Sequence, residues 1–187
     1  MPTPIGHTLF GLTLLKLSPA STKSNSLKSF LLVLIAANAP DLDFIPGILV
    51  GDFNRYHQQY SHSLIFAAAF ALLFFVLFFY QRQQRLKISL LAGTLYSSHL
   101  LLDLITYDGA EPFGIPLLWP FSSQLFHSPY TLFGGILHGQ FGDDFITAIQ
   151  NIVQWSNLKV IAIELVVTLP FLFIAIALAN RRKAKIN

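Results

Sequence analysis

Five apolar stretches alternate with polar ones along the chain. Three of them, 62–80, 88–105 and 158–179, approach the roughly 20 residues that a helix needs to cross about 30 Å of hydrocarbon. Two earlier ones, 5–17 and 27–39, are shorter and are joined by the polar turn "SPASTKSNS". They read either as short tilted spans or as helices only partly sunk in a membrane. Between 107 and 157 the helical period is lost, and Gly, Pro and aromatic residues accumulate. Only 143–155 there reads as a helix, and Trp119, Trp155 and several Phe side chains suit a membrane interface. The pattern therefore predicts an all-α fold, a polytopic membrane helical bundle of about five helical segments, two of them short, with an interfacial loop region. Residues 1–187 form one integral membrane domain in this reading, closed by a last membrane helix and basic tail at 158–187.

Composition agrees with the pattern. At 53% hydrophobic and 11% charged, the chain is too apolar for an ordinary soluble domain of this length. Having no cysteine, it has neither disulfides nor thiolate metal sites. A net charge of +3 without a clustered basic face makes nucleic acid an unexpected partner. The first apolar stretch has no basic region before it and no small-residue cleavage site after it, so a cleaved signal peptide is not expected.

Charge then orients the segments. Lys16, Lys23 and Lys28 flank the first connection, Arg82, Arg85 and Lys87 lie in the third, and Arg181, Arg182, Lys183 and Lys185 end the chain. In an alternating five-segment topology these ten of the twelve basic residues share one side, with only Arg55 and Lys159 opposite. The positive-inside rule makes that side cytoplasmic, the N-terminus external and the C-terminus internal, as in a bacterial-type inner membrane.

The polar residues left inside the apolar stretches now fall together. His7 opens the first segment, Asp41 and Asp43 end the second in "NAPDLD", His62 opens the third, and His99 and Asp103 lie in the outer half of the fourth. All reach the external face, although charge counting used none of them. In "SSHLLLDLIT", His99 and Asp103 are four residues apart and share one helix face. A carboxylate at the bilayer centre costs roughly 2.5–3.5 kcal/mol, so function is the default reading for this pair.

Three imidazoles and up to three carboxylates suit zinc or a pair of divalent ions, and a cation would neutralise Asp103 in its apolar setting. Taken singly, several of these residues have plainer readings. His7 could cap or face water, "PDLD" could stop one helix and start the next, and "SHS" could be an ordinary N-cap. His57, His127 and His138 fall in loop regions and read most simply as loop histidines.

"GHTLFG", "NAPDLDFIPG", "HQQYSHSL", "SSHLLLDLIT" and "GIPLLWPFSS" come in the order and style of the YdjM-type membrane-bound, metal-dependent hydrolases, over residues 6–123. That family resembles a reduced, membrane-embedded relative of zinc phospholipase C and its nuclease cousins. The resemblance implies metal ligands at His7, Asp41 or Asp43, His62, His99 and Asp103, with Asp103 able to bridge two ions. It implies one or two divalent ions, most simply zinc, with Asp41, Asp43 and Asp103 as the catalytic carboxylates, and whichever of Asp41 and Asp43 is not fully used in coordination could act as base. The substrate it implies is a phosphoester of a lipid or lipid-linked molecule at the outer face, cleaved by metal-activated water. The family's H-R-x-x-T-H-S reads "HQQYSHS" here, so Gln58 stands where a basic residue is expected. Arg55 is the nearby substitute, and Arg55, His57, Gln58 and Trp119 are the substrate-binding candidates. The runner-up is an ion- or proton-translocating membrane protein, or a structural metal-binding one. Oligomeric state is not legible.

Overall fold

The computed structural model describes residues 1–18, 26–107 and 113–185. Lys23 and most of the polar turn around it lie outside the described residues, as does part of the interfacial region after Tyr107. Every regular element among the described residues is helical. These are α1 (Pro4–Leu17), α2 (Ser26–Ala36), α3 (Phe44–Leu49), α4 (Leu64–Leu77), α5 (Arg85–Leu104), α6 (Phe145–Ile152) and α7 (Trp155–Ala184), with 3-10 turns at Pro40–Asp43 and Tyr60–His62.

The helix starts follow local chemistry. Thr3 is extended, its hydroxyl accepts the Gly6 N–H, and Pro4 fills the first helical position of α1, where a missing N–H costs nothing. Asp144 caps α6 in the same way by accepting from Thr147 N–H at 2.8 Å. The second apolar stretch stops being helical after Ala36, and that helix and the helical piece that follows, Pro40–Leu49, meet at a 53° bend. Pro40 opens the second piece at the start of its 3-10 turn, where a missing N–H costs no helical hydrogen bond.

Lengths differ from the sequence expectation. Among the described residues, α7 is the one helix that is both long and apolar enough to cross a membrane. Only 17% of its most apolar window is buried, so most of its apolar surface faces outward. The expected span 62–80 is helical only over Leu64–Leu77. At 14 residues it falls short of about 20. The stretch 88–105 lies in α5 as far as Leu104, and the 20 residues of that helix reach about 30 Å but include Arg85, Lys87 and Asp103.

The helices meet through small residues. α1 packs on α7, α4 on α5, and α1, α2 and α5 on one another. A Cβ on Gly11 would come within 2.8 Å of Val33 Cγ1, and one on Gly93 within 2.9 Å of Ala71 Cβ. Such close approach is how apolar helices gain contact where lipid offers no hydrophobic drive. Leu15, Val33, Ala36, Ala37 and Leu95 form the core where α1, α2 and α5 meet. The outward faces stay apolar, with Leu72, Val76 and Leu77 on α4 and Val166, Phe171 and Phe173 on α7 all exposed.

Candidate metal centre

Four separate pieces of chain bring their polar side chains to one buried point. His7 lies one turn into α1, Asp41 in the Pro40–Asp43 turn, His62 at the end of the Tyr60–His62 turn, and His99 and Asp103 one turn apart on α5. His7, His62 and His99 are fully buried, and Asp103 is 7% exposed.

His62 Nε2, His99 Nε2 and Asp103 Oδ2 form a triangle. Its edges are 3.3 Å between the imidazoles, and 3.4 and 3.2 Å from them to the carboxylate. Zinc bonds of about 2.0–2.1 Å in tetrahedral array separate ligand atoms by about 3.3 Å, so the triangle has the size of one face of such a site. Asp41 Oδ1 stands off the same pair of imidazoles, 3.3 Å from His99 Nε2 and 3.5 Å from His62 Nε2. The other Asp103 oxygen, Oδ1, is 3.6 Å from His7 Nε2. Asp103 thus presents its two oxygens to two different sets of nitrogen donors. His7 is stacked on His99 at 3.7 Å, and a second group of closely spaced donors comes from His7, Asp41 and His99.

Both nitrogens of His7 and all four oxygens of Asp41 and Asp103 are buried without a hydrogen-bond partner of good geometry. Buried ionised groups left in that state cost on the order of several kcal/mol each. A divalent cation removes the cost, and neutral imidazole with carboxylate is the donor set that zinc takes.

Outer partners fix which nitrogens face inward. Ala37, at the end of α2 where carbonyls lack helical partners, accepts from His99 Nδ1–H at 2.8 Å. The His62 Nδ1–H is held by Ser61 Oγ at 3.0 Å and Asp43 Oδ2 at 3.2 Å, while the Ser61 hydroxyl donates to that same Asp43 oxygen. Both imidazoles therefore turn an Nε2 lone pair toward the centre, the arrangement by which carboxylates and carbonyls orient metal-binding histidines. Tyr96 O–H donates to Ser61 O at 2.6 Å and ties this turn to α5.

The sequence candidates separate accordingly. His7, Asp41, His62, His99 and Asp103 converge, whereas Asp43 stands behind His62. The other Asp43 oxygen accepts from His57 Nδ1–H at 3.0 Å. His57 is buried and stacked on Phe44, its Nε2 has no partner, and one of its nitrogens lies within 4.8 Å of ligand atoms of Asp41 and His62.

His57, Gln58 and Trp119 line a cavity of about 320 Å³ beside the centre. Arg55 is not among its lining residues, and its guanidinium lies 5.8 Å over the Tyr56 ring. His127 is exposed.

Two residues that sequence reasoning passed over are also placed. His138 lines the cavity, meets His57 edge-on at 5.2 Å, and is held by Asn54 through a 2.7 Å hydrogen bond. Burial, with the neighbouring His57 imidazole, pushes its pKa down to about 3, so it is neutral. Glu164, fully buried in α7, accepts from the Thr3 N–H at 2.7 Å and from the Thr3 hydroxyl, locking the start of α1. A lone acid within the apolar run 158–179 was the available signal for Glu164. His138 had no signal, because it is brought in by irregular chain.

Neither the curated proteins nor the solved structures contain a match to this chain. A family model does match it, the one described as YdjM inner membrane protein, and since that match runs over residues 1–184 the chain belongs to this family of inner membrane proteins.

Proposed function

We propose that this chain is a membrane-embedded, metal-dependent hydrolase that cleaves a phosphoester of a lipid or lipid-linked molecule. The observation that carries the reading is the meeting of buried ligand atoms from α1, α5 and two 3-10 turns, those of His7, Asp41 and Asp103 unpartnered, beside a cavity that His57 lines. A structural metal site needs no adjoining cavity, whereas a catalytic one needs an entry for substrate and an open coordination position.

In this reading His62, His99 and Asp103 would hold one divalent ion, most simply zinc, and His7 with Asp41 would help hold a second. A bound ion supplies a Lewis acid that acidifies water and stabilises charge on the phosphoryl oxygens. His57 is the proton acceptor. Its Nδ1–H donates to Asp43, so its Nε2 lone pair is available. The oxygen of water bonds to phosphorus, its proton passes to His57 Nε2, and the bond from phosphorus to the leaving alkoxide breaks. The same proton then returns to the leaving oxygen. Asp43 steadies the imidazolium and positions His62, and His57 takes the base role that the sequence reading gave to Asp41 or Asp43.

The ten-to-two division of basic residues puts this centre at the external face, where a lipid substrate exposes its headgroup without leaving the bilayer. Amphiphilic phosphoesters are accordingly expected to be better substrates than soluble ones. The test incubates zinc-loaded protein with labelled phospholipids, lipid-linked phosphates and a soluble phosphodiester, beside Asp103→Asn. Release of product from amphiphilic substrates by wild type alone is expected. Release from none, with movement of protons or metal across proteoliposomes, overturns the proposal in favour of translocation.

A further inference from the structure

The cavity beside the centre has an unusual lining for a site facing a phosphoester. Its described walls carry no Lys, Arg, Asp or Glu. They are formed instead by Gln58, Gln140 and Ser123, the rings of Tyr60 and Trp119, the His57 and His138 imidazoles, and Gln59, whose amide already donates to Arg55 O at 2.6 Å. The volume of about 320 Å³ is within the range of small-molecule sites.

A charged headgroup entering such a space leaves its water with no opposite charge to meet, which is costly. Hydroxyl groups are served well, because a primary amide both donates and accepts, as a hydroxyl does. Tyr60 and Trp119 are packed together at 4.7 Å and form an aromatic wall, which suits the apolar C–H face of a ring. The Gln58 backbone has φ +55°, the left-handed region that a glutamine seldom adopts. Backbone held in that region against preference clusters at ligand-binding positions. The residue is thus fixed at the cavity wall.

We infer that this cavity takes an uncharged, polyhydroxylated headgroup, a sugar or a cyclitol, carried on the phosphoester that the adjoining centre holds. The inference rests on the hydrolase reading for the bond that is cleaved, but recognition of the headgroup is measurable without turnover. His57 lines the cavity and also meets the His62 ring at 5.3 Å, so a phosphoryl group at the centre places its substituent among the amides.

The experiment uses the full chain in nanodiscs, with Trp155→Phe leaving Trp119 as the one tryptophan. Octyl glucoside, methyl glucoside and dodecyl phosphate are titrated while Trp119 emission is followed. Octyl glucoside is expected to shift the emission saturably, methyl glucoside only weakly, and dodecyl phosphate not at all. A methyl glucoside response equal to that of octyl glucoside assigns the cavity to soluble sugars and overturns the lipid-borne headgroup. Gln140→Ala and Gln58→Asn should each weaken the octyl glucoside response about tenfold, the effect of losing one or two neutral hydrogen bonds. Asparagine tolerates the left-handed backbone, so Gln58→Asn keeps the fold while withdrawing the amide. In parallel, zinc-loaded protein is given phosphatidylinositol and phosphatidylserine. Saturable binding of octyl glucoside without turnover upholds the headgroup assignment and removes the hydrolase reading. Turnover of phosphatidylserine at least as fast as phosphatidylinositol, with no response to octyl glucoside, overturns the inference and leaves the hydrolase.

Discussion

Asp41 and Asp43 are two residues apart, yet they do different things. A 3-10 turn has three residues per turn, so side chains at i and i+2 diverge. Asp41 faces the two Nε2 atoms, and Asp43 faces the opposite nitrogen of His62. This division makes a graded prediction. Asp103→Asn removes a carboxylate that meets donors with both oxygens, and should abolish stoichiometric metal binding. Asp43→Asn leaves every inward donor in place but weakens the orientation of His62. It should lower metal affinity by about 10–100-fold, the usual effect of losing an outer partner. Titration against a chelator of known affinity distinguishes the two. An Asp43→Asn protein as empty as Asp103→Asn would make Asp43 itself a ligand.

The helices set these residues in place through close contacts, and those contacts are testable one by one. Gly11→Val drives a side chain into Val33, where no space remains, and should cost about 1–3 kcal/mol. Gly134→Ala meets its nearest neighbour at an ordinary 3.6 Å and serves as the control. Glu164→Ala leaves the Thr3 N–H and hydroxyl buried and unpaired, with an expected cost of about 1–3 kcal/mol. Thermal unfolding in one detergent measures all three, and equal midpoints for Gly11→Val and Gly134→Ala would contradict the packing described. What the sequence revealed at this scale follows the same physics. The His99–Asp103 pair was legible because spacing within a helix fixes its face. The bend after Ala36 and the shortening of the third apolar stretch to Leu64–Leu77 were not. Phe78, Phe79 and Tyr80 continue the apolar run past Leu77, and backbone geometry, not hydrophobicity, decides where that helix ends. His57 and His138 meet across irregular chain, and no local period records that meeting.

At the scale of the whole molecule, α7 is a membrane-crossing candidate by length and composition, and the apolar outer faces of α4 and α7 suit a lipid surround. The orientation proposed from charge has its own check. Reporters fused after Arg85 and after Lys185 should be cytoplasmic, and one near Gly139 external. A cytoplasmic reporter at Gly139 would invert the topology and move the substrate to the other leaflet, leaving the centre intact. The central claim is the centre itself, and the metal content of purified protein tests it most directly. Elemental analysis should find one or two divalent ions, chiefly zinc, per wild-type chain, and none in the His62→Ala/His99→Ala double variant. Stoichiometric metal retained by the folded double variant, or a wild type that takes up no divalent ion when zinc is supplied, would contradict it.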